Sequence, residues 1–226
     1  MLMPKKKLTR REIKQDKLVT TWFKVYDYIT QHSRELLLAL AGVIVVIGAV
    51  AWYNYRTSQD EQNASGELVR ARSEYTKQNY SETIKILENL VSQYNGTKSA
   101  NLATLYLANA YMQTKDFANA EKYYRIYFDK KGSEPILGVA AAAGLAATQE
   151  ERGNYAQAAQ MYETAANDYE KSYRAPELLM RAGLCFKLAG DSKGVHRVLQ
   201  RLIDKYPKSA LVEDAKLLMA EVGEIS

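Results

Sequence analysis

Leu36 to Tyr53 reads LLLALAGVIVVIGAVAWY, eighteen residues with no charge and mostly aliphatic side chains. As a helix it is about 27 Å long, close to the roughly 30 Å hydrocarbon thickness of a bilayer. A bilayer core has no water to satisfy backbone amides, so a single segment crossing it must be helical. Trp52, Tyr53 and Tyr55 stand at its C-terminal end, where amphipathic rings favour the headgroup layer, and Trp22, Phe23, Tyr26 and Tyr28 precede its N-terminal end. A buried core helix rarely runs so far without one polar position. Two readings of the stretch stay open. Ala49-Val50-Ala51 has the small residues that a signal-peptidase site requires, which would put cleavage after Ala51. Against that, 35 residues precede the run, far more than an ordinary signal n-region. The expectation is therefore a retained transmembrane helix over residues 36–55.

Charge orients the span. Before Leu36 stand nine basic residues (Lys5, Lys6, Lys7, Arg10, Arg11, Lys14, Lys17, Lys24, Arg34) and four acids (Glu12, Asp16, Asp27, Glu35). After it Arg56 stands alone, followed by Asp60 and Glu61. Basic residues beside a span stay on the cytoplasmic side. Residues 1–35 should thus form a basic cytoplasmic tail, and residues 56–226 a domain on the far side. In a bacterium that is a single-pass inner-membrane protein with a periplasmic domain. The tail's excess of five accounts for the whole net charge of +5. The rest is neutral, so it has no surplus of positive charge for a nucleic-acid partner.

Met1 to Arg11 is short and basic and is expected to be disordered. From Glu12 onward Ile13, Leu18, Trp22, Val25 and Ile29 keep near one helical face, and Lys14, Lys17 and Lys24 point elsewhere. This juxtamembrane amphipathic helix reads either as a helix lying on an anionic membrane surface or as a charged topology signal. Residues 56–65 hold no proline and Gly66 is only a mild breaker, so the membrane helix is expected to run on into the following domain.

From about Leu68 the chain is periodic. Asn79-Tyr80, Asp116-Phe117, Asn154-Tyr155 and Asp191-Ser192 align, with the second positions at 80, 117, 155 and 192, in steps of 37, 38 and 37. Each Asn or Asp is a plausible N-cap, and Gly153 and Gly190 stand just ahead to end the earlier helix. Three residues after each aligned position comes Thr83, Ala120, Ala158 or Val195. Four further on come Leu87, Tyr124, Tyr162 and Leu199, then after three more Leu90, Tyr127, Ala165 and Leu202. That spacing puts them on one face of a second helix. The preceding helices carry a matching pattern: Thr104-x₂-Leu107-Ala108-x₂-Tyr111, Ala142-x₂-Leu145-Ala146-x₂-Gln149 and Leu179-x₂-Ala182-Gly183-x₂-Phe186. Ala210 to Val222 reads as a last amphipathic helix covering the open end.

Over about residues 64 to 207 this pattern resembles the tetratricopeptide repeat family, which implies an all-α solenoid of about three to four helix–turn–helix units with a C-terminal capping helix. The period is longer than that family's ~34 residues, and the first unit, with Leu68, Ala71 and Tyr75, fits only with a shorter turn. The whole layout is also similar to a narrower family, the ancillary subunit of the bacterial SecYEG translocon. That resemblance implies an inner-membrane protein with a periplasmic repeat domain, and the Sec translocon and periplasmic chaperones as partners. Tyr206-Pro207-Lys208-Ser209-Ala210 resembles instead the repeat domain of the Tol-Pal-associated division coordinator, which implies a cell-envelope division or outer-membrane assembly adaptor.

Catalytic chemistry finds few candidates. His32 lies before the membrane run and His196 on a late helix. No Cys/His cluster has metal-ligand spacing and no Gly-rich loop follows a strand. Glu150-Glu151-Arg152 reads as a solvated turn. Cys185 is alone and so makes no internal disulfide; beside Gly183, Leu184 and Phe186 it reads as a buried small apolar residue. The expectation is a non-enzyme without cofactor, metal or small-molecule substrate, a scaffold for other proteins or peptides. A regulatory subunit of an enzyme is the alternative of another class.

In stacked helical pairs the first helices line a groove. Their residues outside the packing pattern are Leu102, Leu105, Asn109 and Met112, then Ala140, Ala143, Ala147 and Glu150, then Met180, Leu184, Lys187 and Leu188. This predicts a largely apolar protein-binding groove for a helix or extended peptide, unless the C-terminal helix, the neighbouring turn or a second copy fills it. Of the seventeen tyrosines, Tyr123, Tyr124, Tyr127, Tyr162, Tyr169 and Tyr173 are expected to pack between helices with hydroxyls reaching water.

Overall fold

A computed structural model describes residues 10–129 and 135–224, with side chains described outside 10–18, 135 and 224. Every regular element among them is an α-helix. The chain divides into two units, residues 1–58 and 59–226.

The first unit holds α1 (Arg10–Gln31) and the start of α2 (Ser33–Thr76). Arg10 and Arg11, expected in a disordered tail, are helical; residues 1–9 lie outside the described residues. His32 alone separates α1 from α2, and the ladder persists around it, with its N–H donating to the Tyr28 carbonyl at 3.0 Å and its carbonyl accepting from Leu36 at 2.9 Å. Among the described residues α2 is the one helix long and apolar enough to cross a membrane, by length and composition. Its aliphatic stretch is exposed throughout, Leu38 and Val45 among the most. As expected, Gly66 does not break it.

The second unit opens with the last turns of α2 and continues through α3 (Tyr80–Gln93), α4 (Lys98–Gln113), α5 (Phe117–Phe128), α6 (Pro135–Glu151), α7 (Tyr155–Asp168), α8 (Ala175–Leu188), α9 (Ser192–Lys205) and α10 (Val212–Glu224). Four helix–turn–helix pairs result: the end of α2 with α3, α4 with α5, α6 with α7, α8 with α9. Ala64, Leu68 and Ala71 of α2 are buried, which makes it the first helix of the first pair. α10 covers the far end with Ala215, Leu218 and Val222, spaced three and four residues apart.

Packing follows the repeat phase. All twelve second-helix positions aligned from sequence, Thr83 to Leu202, are buried, and so are all the aligned first-helix positions except Ala142, which is half-buried. Two apolar clusters form, one from α2 to α6 and one from α6 to α10, with Met161 packed against both. Small residues set the closest approaches. A β-carbon on Gly183 would lie 2.7 Å from Leu199 Cδ2, and one on Gly144 would overlap the Tyr124 ring.

Each first helix ends the same way. Gln78, Lys115, Gly153 and Gly190 all have positive φ (61°, 61°, 78° and 75°). The next N–H, of Asn79, Asp116, Asn154 and Asp191, reaches back five residues to Glu74, Tyr111, Gln149 and Phe186 carbonyls at 2.9–3.0 Å. This is a Schellman termination repeated four times. The four aligned N-caps then divide by chemistry. Asp116 and Asp191 accept from the backbone N–H of Asn119 and Gly194. Asn79 and Asn154 make no such cap; their amides donate backwards, to Glu74 at 3.1 Å and Gln149 at 2.9 Å.

Candidate protein-binding groove

The first helices of successive pairs meet through their side chains. Tyr75 of α2 and Tyr106 of α4 stack edge to face at 6.1 Å, with Arg72 over the Tyr106 ring. Arg181 of α8 donates to Glu150 of α6 at 2.9 Å, and beyond the last pair Lys187 of α8 donates to Glu221 of the covering helix α10 at 2.5 Å. A cavity of about 270 Å³ opens in the middle of this face. Its floor is α6, where Ala140, Ala143, Gly144 and Ala147 leave the backbone thinly covered. Asn109 of α4 stands on one side; Arg174, which precedes α8, and Glu177 and Arg181 of α8 stand on the other.

Two tyrosines of the second helices reach through to it. Tyr124 lies across Gly144, and its hydroxyl donates to Asn109 Oδ1 at 2.5 Å. The Tyr162 hydroxyl donates to Glu150 Oε2 at 2.8 Å, the same oxygen that takes the Arg181 bond. Burial pushes both hydroxyls far above the ordinary phenol range, and at Tyr162 the Glu150 carboxylate adds to it. Burial works against the Arg181 charge, but Tyr162 and Glu150 more than offset it. The face therefore presents fixed polar groups on an alanine floor.

The expected groove residues separate into three groups. Asn109, Ala140, Ala143 and Ala147 line the cavity, with Glu150 bonded beside it. Leu184 and Leu188 are exposed, at 42% and 59%, and extend the same face towards α10. The others pack inward. Leu102 and Met112 are half-buried against the N-terminal cluster, Met180 against the C-terminal one, and Lys187 is half-buried in its ion pair with Glu221. Leu105 is 5% exposed and belongs to the N-terminal cluster; it is a core residue, not a groove residue. The centre is also more polar than the expected apolar groove, because Arg174, Glu177 and Arg181 were not among the expected residues. Glu177, Arg181, Leu184 and Leu188 keep a spacing of four, three and four residues along α8, and this stripe was the signal for them. Tyr124 and Tyr162 were expected to reach water; their hydroxyls bond protein groups instead. Tyr173 is open to solvent.

A larger cavity, about 480 Å³, lies on the second-helix side, bordered by Arg125 and Phe128 of α5 and by Gln157, Gln160 and Thr164 of α7. Arg125 there is held by two bonds to Glu121, whose other oxygen takes Gln149 and Arg152, but among the described residues no alanine floor lies open between the charged groups as it does on the first-helix face. Cys185 is buried in the C-terminal cluster, and burial, with the Glu150 carboxylate, pushes its thiol up to about 12.

Comparison with known proteins places the fold. Two solved structures of the nearly identical TPR-like repeats of a Podosopora anserina kinesin light chain, one of them a single-substitution variant, are similar to the chain at TM-score 0.58 and 14% identity. They cover 73% of this chain and, respectively, 87% and 86% of their own. At that identity the likeness is one of fold. No curated protein matches. The profile of the tetratricopeptide repeat-like domain matches residues 26–177, and that of the tetratricopeptide repeat matches residues 177–209. With two thirds of its length matched by the first profile, the chain belongs to the tetratricopeptide repeat-like domain family, whose repeats are protein–protein interaction scaffolds.

Proposed function

We propose that the protein is a membrane-anchored, non-catalytic scaffold at the periplasmic face of a bacterial inner membrane. In this reading residues 1–35 are cytoplasmic, 36–55 span the membrane, and 56–226 form the periplasmic repeat domain. The first-helix face receives a helix or extended segment of a protein partner. The observation that carries the binding role is the alanine-floored cavity between Asn109 and the Arg174–Glu177–Arg181 edge, continued by exposed Leu184 and Leu188. A peptide backbone can lie on such a floor, with its polar groups met at the edges and its apolar side chains on the two leucines. The sequence layout favours the Sec translocon, emerging chains or periplasmic chaperones as partners.

Crosslinking in intact membranes followed by affinity capture of the full chain tests the partner. Translocon subunits or periplasmic chaperones should be recovered. Recovery of Tol-Pal components instead would assign the protein to envelope division, and recovery of a stoichiometric enzyme would make it a regulatory subunit. Protease added outside spheroplasts should remove the repeat domain and spare the tail; protection of the repeat domain would reverse the orientation.

A further inference from the structure

α1 exposes seven large apolar side chains within eleven residues, each at least 46% open; Tyr28 stands apart from the other six, Val19, Trp22, Phe23, Val25, Tyr26 and Ile29. At about 100° per residue those six occupy one arc of about 160°. Lys24 falls on the opposite arc beside Tyr28, with Asp27 at the edge next to Phe23. Among the described residues nothing in the first unit covers the apolar arc.

We propose that α1 is an interfacial helix that binds an anionic lipid surface. The inference rests on the anchored reading of α2. Four observations favour lipid over a protein occupant. The apolar arc is wider than the two-positions-in-seven seam that a paired coiled coil uses. It carries Trp22 and Tyr26, rings that favour the headgroup layer. Lys24 on the opposite arc and the excess of five positive charges in residues 1–35 complement anionic headgroups and gain nothing from a second copy of themselves. Finally, Gln31 is five residues before Leu36, so an inserted α2 holds the end of α1 within roughly 8 Å of the surface.

The chain's two tryptophans, Trp22 and Trp52, allow a direct test. Full-length protein would be reconstituted into phosphatidylcholine vesicles with and without phosphatidylglycerol, as two single-tryptophan variants, Trp52→Phe and Trp22→Phe. Lipids brominated near the headgroup end of their chains would serve as quenchers. The variant keeping Trp22 should emit at short wavelength and be quenched by brominated lipid when phosphatidylglycerol is present. Lys14→Gln, Lys17→Gln and Lys24→Gln should each shift its surface equilibrium about fivefold towards water. The variant keeping Trp52 should be quenched in both vesicles. Trp52 quenched with Trp22 open to aqueous acrylamide would overturn the interfacial helix and leave the anchor standing. Trp22 shielded but unquenched by brominated lipid, in proportion to protein density, would overturn it in favour of a second copy. Trp52 unquenched would remove the anchor itself.

Discussion

The carboxylate of Glu61 closes the N-terminus of α4 at Ser99: one oxygen accepts from the Ser99 hydroxyl at 2.6 Å and from its backbone N–H at 3.0 Å, and the other takes the Lys98 N–H at 2.7 Å. A residue of the long α2 helix thus satisfies donors that a helix start leaves open, where the macrodipole also favours negative charge. The first and second repeat pairs are joined by this bond as well as by apolar packing.

Glu61→Gln should therefore destabilise the repeat domain by about 1 kcal/mol in urea denaturation at neutral pH. Burial raises the Glu61 carboxyl, but the Ser99 hydroxyl, the two amides and the Lys98 charge outweigh it and hold it below its ordinary 4.5. A lowered folded value means that the stabilisation is present above about pH 4.5 and is lost as pH falls through the folded value. The difference between Glu61→Gln and the parent should shrink on acidification. A difference that is constant across the acid range would mean the carboxylate charge plays no part.

Lys115 and Gln78 hold the left-handed position that Gly153 and Gly190 hold in later repeats. An L side chain costs about 1 kcal/mol there. Lys115→Gly should stabilise the domain by roughly that amount, less the entropy that glycine adds to the unfolded chain. Gly153→Lys should cost about 1 kcal/mol. The checking measurement is the denaturation midpoint of each variant.

Gly144 gives the Tyr124 ring its place on α6, and the hydroxyl is tied to Asn109. Gly144→Ala should cost about 1–3 kcal/mol through overpacking, and Ala158→Leu, at a fully buried position in α7, should cost a similar ~1–3 kcal/mol. Leu105→Asp should unfold the N-terminal repeats, since that leucine is core. Leu184→Asp should leave the melting curve in place, and unfolding by this variant would move Leu184 into the core as well.

Cys185 should resist thiol reagents in the folded protein at neutral pH. Burial removes it from the reagent and raises its thiol, so little thiolate forms. Labelling should appear only with global or local unfolding, at a rate that follows urea concentration. Rapid labelling of the native chain would show that the α8 packing opens.

Much of this architecture was legible in the sequence because the repeat supplies the same environment four times. Thr83, Ala120, Ala158 and Val195 differ in size and polarity, yet their common phase identified them as one buried position. Two features were less legible. α4 is packed by α3, α5 and α6 and touches α2 through Tyr106, so it is apolar on most sides and periodicity could not tell Leu105 from a groove residue. The α6 run Val139-Ala140-Ala141-Ala142-Ala143-Gly144 is small on every face and marks no stripe of its own. Its place as the groove floor follows from Tyr124 and Tyr162 standing behind it. Likewise Asn and Asp look interchangeable as caps, but Asn79 and Asn154 have Glu74 and Gln149 within reach of their amides and donate to them.

Partners are expected to be recognised on the first-helix face. A photo-crosslinking amino acid placed singly at Ala143, Arg181 or Leu184 on that face, and at Gln160 or Gln157 on the second-helix side, tests it in intact cells. Partner adducts should form from the first three positions and none from the last two. Adducts confined to Gln157 and Gln160 would put recognition on the outer cavity between α5 and α7 and contradict it.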